Sequence, residues 1–540
     1  MPTLTSPLDA VHIGNGRMPA LPPRLTPERL RTLAHTATYA ATPQEREPLT
    51  VRAPFTGEVV ASLPAATPAD VRAAFARART AQPAWAARPF YERARVFKRY
   101  HDLVLERHEE ALDLVQLESG KTRFDAFLEV GDVAVVSRYY AYHGEAALAR
   151  KAAVGFVPGL TQVEVNHVPV GVVGIIAPWN YPLTMAVTDA IPALLAGNAV
   201  VLKPAEQTPF TALWAASLLM EAGLPRDLLH VVPGDGPALG PSLLDEADFL
   251  HFTGSTEVGR LLAREAGARL TGASLELGGK NPLLVLDDAD LDQAVHGALR
   301  ACFSSAGQLC ISAERLYVHQ SLFDAFVARF AEKTRRLRIS TSFGWDADMG
   351  SLAGQEQLDK VTAHVEDAKA KGATVVTGGH ALPDLGPFFY APTILTGVTP
   401  EMILYREETF GPVVAVYSFD TDEGAVTLAN DSLYGLHASV WTGDPRRGRR
   451  IARELRCGTI GVNDPYVATW GSTAAPMGGF GASGQGRRHG PEGIRKYTEA
   501  QTVATQHLLP LAPFGELVTE TFAGAILTGL KLLRRLPGLR

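Results

Sequence analysis

A carboxylate and a thiol mark the most reactive stretch of this 540-residue chain. Glu276 opens the run Glu276-Leu277-Gly278-Gly279-Lys280-Asn281-Pro282, and Cys310 closes Phe303-Ser304-Ser305-Ala306-Gly307-Gln308-Leu309-Cys310. A thiolate attacks a carbonyl and holds the acyl group as a thioester, and a carboxylate then activates the water that releases it. Free cysteine is also commonly a small buried hydrophobe, and Cys302 and Cys457 are read that way. Gly307 and Gln308 mark a turn that could face Cys310 into a cleft. On the residues alone, a nucleophile and a buried thiol both stay open.

Other chemistries find less support. His101 and His108 have no cysteine partner and no metal-ligand spacing, so a zinc site is rejected. Ser483 lies in Gly481-Ala482-Ser483-Gly484, which does not fit the Gly-x-Ser-x-Gly elbow of serine hydrolases. Gly234-Asp235-Gly236 with Gly240 misses the dinucleotide fingerprint by one residue and reads as a plain turn. Phe252-Thr253-Gly254-Ser255 is more useful, because it opens a helix whose free N–H groups could hold a pyrophosphate. A net charge of -6 gives no electrostatic case for nucleic acid. Three cysteines make no disulfide framework, Met1 to Asp9 has no signal-peptide pattern, and no long apolar run could span a membrane. With 46% hydrophobic and 20% charged residues, the expectation is a cytoplasmic globular enzyme of more than one domain.

The elements that must position these residues follow from pattern. Residues 1–48 read as an extended arm with a short helix from Thr26 to Ala41. Helices are expected at Ala69 to Thr80, as a pair within Phe90 to Gly120, and at Arg123 to Tyr142, followed by a connector over 145–160. Thr161 to Pro169 alternates as an exposed strand. Apolar strands at Gly171 to Ala177, Ala199 to Lys203, Leu228 to Val232, Phe249 to Thr253 and Ala273 to Leu277 then alternate with helices at Leu183 to Ala196, Pro209 to Ala222, Pro237 to Glu246 and Glu257 to Ala268. Short uncharged strands between helices imply a parallel sheet covered on both faces, with ligands beyond its carboxyl ends. A second α/β unit, with strands at Asn281 to Leu286, Leu316 to Val318, Thr374 to Thr377, Val413 to Phe419 and Gly458 to Val462, surrounds Cys310. Val503 to Leu508 could pair with the Thr161 strand, leaving edges that oligomerisation commonly covers.

Taken together, Pro178-Trp179-Asn180, Lys203-Pro204-Ala205-Glu206, Phe252-Thr253-Gly254-Ser255, Glu276-Leu277-Gly278-Gly279, Gly307-Gln308-Leu309-Cys310, Glu408-Thr409-Phe410-Gly411-Pro412 and Gly461-Val462-Asn463 resemble the aldehyde dehydrogenase superfamily from about residue 49 to 505. The resemblance implies an α/β fold: a Rossmann-like cofactor domain (49–148 and 170–275), a catalytic domain (276–496) and an oligomerisation ribbon (149–169 and 497–510), with an arm (1–48) and a tail (511–540). It implies Cys310 as nucleophile, Glu276 as base, and the Asn180 amide with the Cys310 N–H as oxyanion donors, each donor worth roughly 3 kcal/mol. Lys203, Pro204, Ala205 and Glu206 match the adenosine-ribose segment. Trp179, Asn180, Gly254, Ser255 and Leu277 line the cofactor path, and Glu408 with Phe410 meets the nicotinamide ribose.

The late segment from Ala475 to Gly493 departs from the commoner pattern, with Gly481 for the usual lysine and Arg488 for the usual glutamate. This variant most resembles a bacterial succinate-semialdehyde dehydrogenase branch, often listed as using NADP. The arginines that grip the substrate carboxylate in the better-known branch match Thr188 and Ser304 here, and neither is basic. The alternative is a medium-chain or aromatic aldehyde. Glu206 favours NAD, because a carboxylate at the ribose repels a 2′-phosphate, whereas the branch suggests NADP. A coenzyme A-acylating relative is disfavoured by Glu276, and a silent binding protein by the joint presence of Cys310, Glu276 and Asn180. A homodimer or homotetramer is expected. The tail from Phe522 to Leu536 is amphipathic and basic at its end. It is read chiefly as a helix packed on its own protein or a subunit, with weak membrane contact as the alternative.

Overall fold

The computed structural model describes residues 12–13, 21–40, 46–156, 161–507, 512 and 518–535. Val172–Ile176, Ala199–Lys203 and Leu229–Val231 form strands that are almost wholly buried. Their uncharged sequences suit a sheet with helices on both faces. With Phe249–Thr253 and Gly272–Glu276 they make a parallel sheet in the spatial order 272–276, 249–253, 172–176, 199–203, 229–231. The short strand Gly484–Gln485, contributed from far downstream, closes the 272–276 edge in antiparallel sense. Strand order reverses between Val172–Ile176 and Phe249–Thr253, which opens a crevice beyond their carboxyl ends.

Helices cover this sheet for local reasons. Pro68–Ala86 starts with a reciprocal capping box between Thr67 and Asp70 and a proline in its first turn. Pro209–Glu221 is apolar nearly all round and correspondingly buried. Ser255 caps Thr256–Arg269, its hydroxyl accepting the Val258 N–H at 3.3 Å.

A second, seven-stranded sheet runs in the order 374–377, 393–396, 413–419, 313–319, 281–285, 437–441, 459–462, parallel except for Thr374–Thr377. The two sheets are joined through residues 277–280, so Glu276 ends one and Asn281 begins the other. Beyond Val462 the chain returns: Tyr466, Trp470, Met477 and Ile494 pack into the core around the first sheet. By packing, the later part of the expected 276–496 unit therefore bridges both sheets.

The ribbon forms as Thr161–Pro169 pairs antiparallel with Thr498–Gln506, Val503 opposite Glu164. A third strand, Lys151–Val154, pairs on its other side, where the sequence suggested a connector. The helix before it runs from Arg123 to Leu148, past the expected end at Tyr142, and residues 157–160 of the connector lie outside the described residues. Leu183 to Ala196 is not one helix but two, Pro182–Val187 and Ala190–Leu195. Pro192 has no N–H to return to the Thr188 carbonyl, so the ladder breaks there.

The first helix stops at Ala34, and Ala37 instead bridges Val231 in parallel; residue 41 and the Met1 to Asp9 segment lie outside the described residues. The tail forms a helix, Thr519–Leu533, without one buried residue, so the expected packing against the rest of this chain is not found. Its stripe of Phe522, Ile526 and Leu533 is only half-covered; Leu536 lies outside the described residues. No helix among the described residues is long and apolar enough to cross a membrane, and no group of three or more His, Cys, Asp or Glu among them could hold a metal ion.

Candidate active site

The crevice opens into a cleft of about 450 Å³ between the two sheets. Pro178, Trp179 and Asn180 enter it from the end of Val172–Ile176, and Thr253, Gly254 and Ser255 from the end of Phe249–Thr253. Glu276 and Leu277 close the floor, Cys310 faces them, and Glu408 and Phe410 come from the second sheet's side. Trp179 meets Phe410 edge to face at 5.6 Å. The cleft thus gathers nine of the residues singled out in the sequence: Trp179, Asn180, Gly254, Ser255, Glu276, Leu277, Cys310, Glu408 and Phe410.

Lys203, Pro204, Ala205 and Glu206 do not line it. They end the neighbouring strand, tied to the first by the Ala177 N–H donating to the Lys203 carbonyl at 3.0 Å. There Lys203 Nζ donates to Glu206 Oε1 at 2.8 Å and to the carbonyls of Pro204 and Gly234 at 2.9 and 3.0 Å. The Gly236 N–H also donates to Glu206 Oε1, at 2.7 Å. The glycine turn at 234–236 is therefore a seat for the Glu206 carboxylate.

Cys310 is half-exposed and follows an unusual turn. Ser305, Ala306 and Gly307 have φ of +51°, +55° and +72°, three left-handed residues in succession. Such a conformation costs about 1–2 kcal/mol at each non-glycine residue, so the surroundings must hold it. The Ser305 N–H donates to the buried Asp125 carboxylate at 2.9 Å, and Tyr466 donates its hydroxyl to Ser304 Oγ at 2.9 Å. Gln308 binds back through its side chain to the Ser305 and Ser351 carbonyls at 3.1 and 3.3 Å. Gly307 is required twice over: a Cβ there would also stand 2.1 Å from the Gly411 carbonyl oxygen.

On the far side, Asn281 Nδ2 donates to the carbonyls of Cys310 and Ser312, both at 2.8 Å, while its Oδ1 accepts the His437 N–H at 3.0 Å. Asn180 Nδ2 donates one N–H to the Gln308 carbonyl at 3.0 Å, which leaves its second amide hydrogen for a ligand. Lys121 fixes this segment, donating to the Asn180 carbonyl and pairing with Glu129, each at 2.6 Å.

The electrostatics separate the two reactive groups. Burial pushes Glu276 up to about 7, with Arg488 and Lys496 pulling it partly back. Its Oε1 is buried and has no hydrogen-bond partner among the described residues. Burial, with the nearby Glu408 and Glu276 carboxylates, pushes the Cys310 thiol up to about 12. Glu408 is itself raised to about 7 by burial and by Glu314, and its Oε1 accepts the Gly279 N–H at 2.7 Å. The arrangement offers a protonated thiol beside a carboxyl poised at neutrality, which is the pKa range a general base needs.

Sequence reasoning overlooked several residues here. Met185, Gln357 and Lys360 line the cleft, and Asn281, Lys121 and Asp125 hold its walls. Asn281 sits inside a motif already noticed, but its role as a brace shows only once the Cys310 loop is folded against it. Met185, Gln357 and Lys360 carry no local signal, because only the meeting of the two sheets brings them there.

Comparison with known proteins agrees with this geometry. A Mycolicibacterium smegmatis protein, provisionally named succinate-semialdehyde dehydrogenase (NADP(+)), is 51% identical over 484 residues, covering 90% of this chain and 94% of that protein. The crystal structure of an E. coli NADP-dependent enzyme superposes with a TM-score of 0.83 at 35% identity, over 88% of this chain and 99% of the other. A Bacillus cereus aldehyde dehydrogenase solved as its NAD+ complex gives 0.81 at 32% identity, over 89% and 99%. The aldehyde dehydrogenase family model matches residues 40–503. The chain belongs to the aldehyde dehydrogenase family.

Proposed function

We propose that the protein oxidises an aldehyde to a carboxylate with NAD or NADP, that Cys310 is its nucleophile and Glu276 its base, and that succinate semialdehyde is its substrate. The observation that carries this reading is the pairing, across one cleft, of Cys310 with a buried Glu276 carboxyl raised to about 7. The name of the M. smegmatis relative supports the substrate.

The cleft fits a dinucleotide. It reaches the amino end of Thr256–Arg269, where free N–H groups favour phosphate, and the turn before that helix requires Gly254, since a Cβ there would stand 2.4 Å from the Phe252 ring. Trp179, Gly254, Ser255, Leu277, Glu408 and Phe410 would hold the nicotinamide half, and Lys203 with Glu206 the adenosine ribose. A bound cofactor supplies the hydride acceptor.

The remaining chemistry falls to the chain. The Cys310 Sγ–H proton passes to Glu276, and Sγ forms a bond to the carbonyl carbon. The carbonyl pair moves to oxygen, which takes hydrogen bonds from the free Asn180 amide hydrogen and the Cys310 N–H. Glu276 gives the proton it received up to solvent and is again a carboxylate; once the thioester exists, it removes a proton from water as the water oxygen adds to the acyl carbon. The C–S bond then breaks, its pair returns to Sγ, and the carboxylate leaves. A homo-oligomer built on the ribbon accompanies this reading, supported by the exposed outer strand Thr498–Gln506.

Initial rates with succinate semialdehyde, hexanal and benzaldehyde, each with NAD and NADP, test the proposal. A kcat/KM advantage for succinate semialdehyde supports the substrate. Faster turnover of hexanal or benzaldehyde refutes it while leaving aldehyde oxidation standing.

A further inference from the structure

Behind the cleft wall lies a buried group of charges that the steps above do not use. Met185 lines the cleft, and Arg488 Nη1 lies 3.0 Å from its sulfur. The guanidinium is buried, donates from Nη2 to the Thr188 hydroxyl, and pairs with Asp189 Oδ2 at 2.9 Å. Its Nε–H has no acceptor among the described residues. Another N–H is spent on a thioether, which is a weak acceptor. The buried cation is under-satisfied, and the residue that accepts one of its N–H groups, Met185, is the one that lines the cleft.

Asp189 has partners besides that cation. Lys496 Nζ and the Tyr497 hydroxyl reach its Oδ1 at 2.8 and 3.0 Å, and His251 Nε2 lies 3.1 Å from Oδ2. Arg488 and Lys496 face Asp189 together with the Glu276 and Asp132 carboxyls. Asp132, beside Thr184, is a further buried carboxyl that faces Arg488. Glu129 is already neutralised by Lys121 at 2.6 Å. An orphaned donor on a buried cation is expensive unless an acceptor meets it.

We propose that Arg488 receives the far carboxylate of the semialdehyde substrate, with Met185, which has three rotatable bonds, moving aside to admit it. Arg488 reaches from the late loop to the Thr188 side chain, and so places at that uncharged position the cation which the position itself lacks. This inference rests on the succinate-semialdehyde reading given above and names the residue that recognises the acid.

The test compares succinate semialdehyde with butanal, which has the same carbon count and no carboxylate. In Arg488→Met, kcat/KM for succinate semialdehyde is expected to fall about 10- to 100-fold, mainly through KM, as for loss of a charged hydrogen bond. The fall for butanal is at least about tenfold smaller. Arg488→Lys, which keeps the charge that balances the site, carries the same readout if the methionine variant does not fold. Adding Thr188→Arg to either variant is expected to recover much of the loss for succinate semialdehyde. Equal losses for both aldehydes in the folded variant, or no rise in KM, would overturn the assignment. A wild-type enzyme without preference for succinate semialdehyde over butanal sinks the substrate reading itself, before any variant is made.

Discussion

Replacing Glu276 with glutamine should make the protein more stable and nearly inactive, and both effects follow from one number. The carboxyl ionises near 7 in the folded chain against an ordinary 4.5. A group whose folded pKa is raised binds its proton more tightly when folded, so below pH 4.5 it costs the fold nothing. As pH rises from 4.5 to 7, unfolding increasingly releases that proton, and the fold loses stability. Above 7 the full penalty stands, about 2.5 pKa units or roughly 3 kcal/mol. Glutamine has no proton to lose and escapes it. For a chain of this size about 3 kcal/mol corresponds to roughly 3 °C in Tm. Glu276→Gln should therefore melt about 3 °C higher than wild type at pH 8, with the gap closing at pH 4.5. In stopped flow the same variant should form reduced cofactor at least about 100-fold more slowly and turn over at least about 100-fold more slowly, because the base that takes the Cys310 proton and activates water is gone. In the wild type, the hydrolytic step should rise about tenfold per pH unit below 7 and level above it. A glutamine variant no more stable than wild type at pH 8, or a hydrolytic step flat from pH 5 to 8, would refute the buried-carboxyl argument.

Three further outcomes are expected. Asn281→Ala removes both donors to the Cys310 loop and leaves the His437 N–H without its acceptor; it should cost about 2–4 kcal/mol of stability, read by urea denaturation, and lower kcat more than it raises KM. Glu206→Ser takes a negative charge from beside Lys203 and should shift the ratio of kcat/KM values toward NADP by about tenfold or more. Gly307→Ala places a Cβ against the Gly411 carbonyl on a left-handed residue, so steady-state assays should find activity lost, with circular dichroism showing whether the fold survives.

The strands of the first sheet were legible because burial on both faces forces uncharged runs, and Ala199–Lys203 matches its sequence reading to the residue. Lys151–Val154 was not, since all four residues are exposed and only backbone pairing defines the strand. The split at Thr188 and Asp189 has a local cause, Pro192, whose effect is displaced one turn upstream. Glu276 and Cys310 could be singled out because their motifs are short and continuous. The pKa of Glu276, the brace from Asn281 and the reach of Arg488 to Thr188 depend on segments that meet only in three dimensions. Composition and periodicity carry no trace of them.

The late strand Gly484–Gln485 has a consequence for biosynthesis. The first sheet's outer strand, Gly272–Glu276, leaves the ribosome roughly 200 residues before the segment that pairs with it, an interval of about 10–40 s at usual translation rates. Through that interval the nascent chain carries an unpaired strand edge of the kind that invites intermolecular pairing. Truncation anywhere before residue 484 would make that exposure permanent, so prematurely terminated chains should aggregate or be cleared by quality control rather than persist as free fragments.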